Sequence, residues 1–146
     1  MPGAAVDNSR SRTRPPPYAA DVRHGRHYTL DEARAQLRWV TERLAAMRSA
    51  RERLTDADAR RALAGSSGGN GGGALGKHVG EAFRDLQAGA QELAARDIVL
   101  RDLDRGLVDF PALREGREVY LCWVEGEPDI GFWHQLDAGY AGRHEL

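Results

Sequence analysis

The 146-residue chain has one cysteine, Cys122. A lone thiol cannot close an intrachain disulfide, so a disulfide-stapled secreted scaffold is excluded and a reducing, cytoplasmic setting is expected. No run approaches the ~20 apolar residues needed to cross a bilayer, and no charged start leads into an apolar stretch of signal-peptide length. Membrane contact is not expected. A dominant charge sign is missing as well, since 21 Lys and Arg face 22 Asp and Glu for a net charge of −1. Nucleic-acid binders concentrate basic residues among aromatics on one face. Only the first 27 residues come near that, with Arg10, Arg12, Arg14, Arg23 and Arg26 against Asp7 and Asp21, so nucleic acid is not an expected partner. The spacings of a nucleophile elbow, a phosphate loop, a zinc ribbon and a dinucleotide fingerprint are also absent. No catalytic residue and no cofactor is therefore assigned.

What is present divides into four stretches. Residues 1–27, with Pro15-Pro16-Pro17 and no helical or strand period, read as a disordered basic arm ahead of a single domain over 28–146. Thr29 and Glu32 have capping-box spacing, and Leu30, Ala33, Leu37, Val40, Leu44, Met47, Arg51 and Leu54 follow at steps of three and four. That pattern predicts a helix to about Leu63, roughly 50 Å long, with a coiled-coil-like seam broken only by Arg51. Trp39 lies off the seam. Residues 65–76 are too glycine-rich to hold one conformation and predict a flexible loop. A second helix places Leu75, Val79, Ala82, Leu86, Gly89 and Leu93 on one face, where Gly89 predicts a close helix crossing.

The C-terminal block holds two of the three tryptophans and reads as strands. Ile98–Leu103 and Leu107–Leu113 flank the turn Asp104-Arg105-Gly106, and Arg117–Trp123 and Asp129–Gln135 flank residues 125–128. Val119, Leu121 and Trp123 alternate with Glu118, Tyr120 and Cys122 as in a half-buried strand, while Pro111 confines its own strand to an edge or terminus. The expected fold is α+β, a long antiparallel helical hairpin packed on a small antiparallel sheet.

Tyr28-Thr29-Leu30-Asp31-Glu32-Ala33, Arg105 to Leu113, Glu118 to Trp123, Ile130-Gly-Phe-Trp-His134 and Asp137-Ala-Gly139 together resemble the uncharacterised bacterial family known as domain of unknown function 2203. The resemblance covers Tyr28 to the C-terminus apart from the glycine loop. It implies a helix-ending glycine near Arg96-Asp97, where this chain has none. It carries no established activity, so it supports the fold and is silent on function.

Two clusters could hold chemistry. His134, Asp137, His144 and Glu145 offer imidazole and carboxylate ligands for a transition metal, with His134 expected to give its ring N–H to Asp137. Phe132 and His134 should face one side of their strand and Trp133 the other. Asp102, Asp104, Asp109 and Glu115, among Arg101, Arg105, Arg114 and Arg117, read instead as solvated surface ion pairs. The function expected from these features is a non-catalytic interaction module acting through its helical hairpin, with itself as a homodimer or with another protein. The alternative is a small ligand- or metal-binding protein or enzyme with a site near His134 and Asp137. A pocket lined by convergent polar groups would reverse that order.

Overall fold

In the computed structural model, residues 22–65 and 73–146 are described; the expectations for residues 1–21 of the arm and for the glycine run 66–72 lie outside them. Helix α1 spans Leu30–Gly65 and α2 spans Ala74–Ala95. The Thr29 hydroxyl accepts the Glu32 N–H at 3.1 Å, capping the first turn, and Asp31 and Glu32 sit at the positive end of the helix dipole. Helix structure claims Gly65 and 74–76, so the connection is shorter than the composition of 65–76 suggests.

The helices pack antiparallel, fastened by Arg43–Glu92 at 3.1 Å and Arg53–Asp85 at 2.7 Å. Between those pairs Gly89 faces Met47 so closely that a Cβ at residue 89 would collide with the Met47 side chain. The seam holds through Ala33, Val40, Leu44 and Met47, then continues through Ala50 and Ala57. Arg51 leaves it to pair with Asp104 at 2.6 Å. Trp39 is half-buried, with the Arg96 guanidinium 3.7 Å above its ring.

Helix α2 ends without glycine. Asp97 takes the left-handed conformation at φ 56° while its N–H and that of Ile98 close on the carbonyls of Ala94 and Leu93, each at 3.0 Å. This is the capping geometry that glycine usually serves; a non-glycine residue there costs roughly 1–2 kcal/mol. The Asp97 carboxylate has a use, since it accepts the Arg26 N–H at 3.2 Å.

Strands β1 (Val99–Asp102), β2 (Leu107–Arg114), β3 (Arg117–Val124), β4 (Phe132–Gln135) and β5 (His144–Glu145) form one sheet in sequential order, antiparallel throughout. The α+β expectation holds, with β5 added. Glu115 and Gly116, both at positive φ, make the two-residue turn between β2 and β3. Pro111 lies inside an eight-residue strand with neighbours on both sides, rather than at an edge or terminus. Its tolerated position has a local reason: beyond the end of β1 the Pro111 carbonyl accepts the Tyr28 N–H at 2.7 Å, so the side lacking an amide donor faces a single backbone contact and not a full ladder.

Register sorts the side chains. Phe110, Leu121 and Trp133 are cross-strand partners and lie on the face toward the helices, as do Val108 and Trp123. There they join Tyr28, Val40, Leu44, Met47 and Leu93 in one apolar core. Asp109 and Cys122 pair on the opposite face, next to Tyr120 and His134. That face is not solvated as a half-buried strand would require, because Tyr120 and Cys122 are buried too.

Candidate functional site

The outer face of the sheet is covered from two sides. Residues 22–27, expected to be part of a disordered arm, are held to it instead. Glu118 accepts the N–H groups of Arg23 at 2.8 Å and His24 at 3.3 Å and contacts His27 Nε2 at 2.6 Å, while His24 Nε2 lies 2.7 Å from the Tyr120 hydroxyl. Among the described residues, contact with the body thus includes Arg23, His24 and His27 ahead of Tyr28, because a carboxylate on β3 supplies acceptors that apolar periodicity cannot reveal. Burial opposes ionisation of Glu118, yet the His27 contact and the two backbone N–H groups outweigh it and hold the carboxyl below the usual range. The second cover is the segment after β4, a turn and a short 3₁₀ helix at Tyr140–Gly142. Arg143 fastens it by two bonds to Glu127, at 2.7 and 2.8 Å, with its guanidinium 3.9 Å over Phe132.

Between these covers lie Asp109 and His134, each 1% exposed, and buried Cys122. His134 Nε2 is 3.0 Å from Asp109 Oδ1, and Nδ1 is 2.7 Å from the Gln135 carbonyl oxygen. The second Asp109 oxygen accepts Arg101 Nε at 2.9 Å. Strands β2 and β4 are separated by β3, so the two side chains must reach roughly 9–10 Å across it. The small Cys122 on the central strand leaves room for them. One ligand atom from each of Asp109, Cys122 and His134 lies within 4.8 Å of the others. Burial, then the adjacent Asp109 carboxylate, pushes the Cys122 thiol up to about 12, so it carries its proton at neutral pH.

A cleft of about 280 Å³ reaches this group, with Asp109, Cys122 and Arg101 on the sheet side and Leu136, Gly139 and Tyr140 on the other. It brings polar side chains from three strands together under solvent access. The arrangement does not suit a thiol nucleophile activated by histidine: both ring nitrogens of His134 already face oxygen acceptors, and burial beside Asp109 raises the thiol pKa.

The residues predicted from sequence separate. His134 takes its place in the cluster, but its partner is Asp109, not Asp137. The Asp137 carboxylate points outward, 86% exposed, and pairs with Arg23 at 2.7 Å. His144 pairs with Trp133 across β4 and β5, with ring centroids 4.8 Å apart, and therefore projects from the face opposite His134. Glu145, next to it, is exposed. His144 lines a larger, open cleft of about 1110 Å³, and Asp137 borders both this cleft and the one beside Asp109; in the larger one Arg23 and Arg143 are engaged by Asp137 and Glu127. Alternation along β4 thus sets His134 and His144 on opposite faces of the sheet.

Asp109 is the residue that sequence reading misplaced among solvated charges. The signal was its position between Val108 and Phe110 in an otherwise apolar run, where a carboxylate needs a buried partner. No match was found among curated proteins or solved structures. A family model described as "Uncharacterized conserved protein (DUF2203)" matches residues 26–146, spanning both helices and the whole sheet, and the chain belongs to that family.

Proposed function

We propose that this is a small-ligand-binding protein whose working surface is the outer face of its sheet. The observation that supports this reading is the burial of Asp109 and Cys122 at the floor of a cleft, with His134 bonded to Asp109 beside them, on the side of the sheet that the helices do not use. Buried polar groups that converge under a solvent-accessible cleft favour binding over packing alone, since an apolar core would fill that face at lower desolvation cost. The helices then act as the scaffold. They back the sheet through Phe110 and Leu121 and keep the strands in register.

The test is a thermal-shift panel of small carboxylates, phosphates and divalent cations on the full chain and on His134→Gln. At least one class should raise the parent midpoint and leave the variant unmoved. A parent that responds to none, or a variant that responds equally, contradicts the reading.

One observation favours interaction through the hairpin as a second reading. Phe83, on α2, is 56% exposed. An apolar side chain facing water there would be covered in a homodimer or by a protein partner. Light scattering from micromolar concentration upward should return dimer mass, and Phe83→Glu should return monomer. Monomer mass for the parent throughout would remove the homodimer.

A further inference from the structure

We propose that the ligand of this cleft is a single divalent transition-metal ion of the zinc type, held by His134 Nε2, Asp109 Oδ1 and Cys122 Sγ. This deepens the cleft-binding reading and rests on it.

The argument starts from the geometry. Nδ1 of His134 lies 2.7 Å from the Gln135 carbonyl oxygen and so donates to it, which leaves Nε2 turned to Asp109 Oδ1 at 3.0 Å. Cys122 Sγ completes the set, since one ligand atom from each of these three buried residues lies within 4.8 Å of the others. A divalent ion between them would pair with a carboxylate and with the thiol in its deprotonated form, which offsets its charge in the interior.

The surroundings match what a ligating set needs. The Nδ1–H bond to Gln135 fixes the histidine tautomer that leaves Nε2 toward the ion, and Arg101 on Oδ2 orients the carboxylate so that Oδ1 faces it. One nitrogen, one oxygen and one sulfur ligand suit zinc or cobalt better than magnesium or calcium, which prefer all-oxygen shells. Tetrahedral coordination sets donors roughly 3.3–3.8 Å apart, between the present 3.0 Å from Nε2 to Oδ1 and the 4.8 Å limit of the set. The 280 Å³ cleft beside Asp109 and Cys122 leaves the fourth position open to water or a small anion.

The experiment uses the full chain dialysed against Co²⁺ and, separately, Zn²⁺, then against metal-free buffer, with native mass and absorption spectra recorded. One ion per chain and a thiolate-to-cobalt charge-transfer band are expected. Cys122→Ser should lose that band, and Arg101→Gln, which keeps all three ligands, should weaken binding about 10–100-fold. Cys122→Ser is a near-isosteric change, so the test survives if a His134 variant fails to fold. An ion bound without the band, a band that persists in Cys122→Ser, or no ion retained would each overturn the metal assignment. If cobalt and zinc fail while a carboxylate or phosphate still shifts the parent midpoint but not that of His134→Gln, the metal is wrong and the cleft reading stands. If every ligand class fails, both fall.

Discussion

His134 and Asp109 stand on strands that are not neighbours, and their side chains meet at 3.0 Å over the central strand of the sheet. Cys122 makes this possible by being small at the crossing point. Replacing Cys122 with Leu should wedge the pair apart and overpack the site, costing about 1–3 kcal/mol in a urea melt. Stability equal to the parent would show that the bridge does not depend on that space.

The contact of Gly89 with Met47 sets the helix crossing. Gly89→Ala gains about 1 kcal/mol of helix propensity, but its methyl group would enter the Met47 side chain. The collision involves the Met47 Cγ, near the backbone, so the clash should win and the variant should be less stable by about 1–2 kcal/mol net. A stabilised Gly89→Ala variant would mean that the helices separate without penalty.

Leu44 is fully buried where helix and sheet meet, whereas Leu86 is only partly buried. Leu44→Ala should cost about 2–5 kcal/mol, and Leu86→Ala distinctly less. Equal losses in parallel denaturant titrations would contradict the placement of the core at the first half of α1.

Glu118 links the N-terminal segment to acid stability. Its folded pKa lies below the ordinary value of 4.5, so it contributes stability that is present above that value and is lost as pH falls through the folded pKa. Glu118→Gln should flatten this acid limb, and deletion of residues 1–27 should do the same, because both remove the bonds to Arg23, His24 and His27. An acid limb unchanged in both variants would detach the arm from the fold.

The helices were legible because their signals are local. The Thr29 cap, the stripe from Ala33 to Met47 and the glycine at residue 89 each act within a turn or across one interface. The sheet was legible from alternation and turns, except for β5, whose two residues carry no period of their own. The site was half legible. His134 stands out in the sequence as a titratable residue in an apolar strand, but its partner lies 25 residues earlier, on a strand fixed only by the sheet order. Sequence proximity, the one distance a sequence offers, favours Asp137, and Arg23, from outside the expected domain, claims it instead. Likewise, Asp97 shows that a missing capping glycine need not move a helix end when the replacing side chain gains a bond.

The central claim is that Asp109 and His134 form one buried unit. A double-mutant cycle of Asp109→Asn and His134→Gln, read by urea denaturation at neutral pH, tests it most directly. The account requires each single variant to lose stability and the pair to couple by about 1–3 kcal/mol, since the second change removes a partner already left unmatched by the first. Losses that add to within about 0.5 kcal/mol would contradict it, because two side chains in contact cannot be energetically independent.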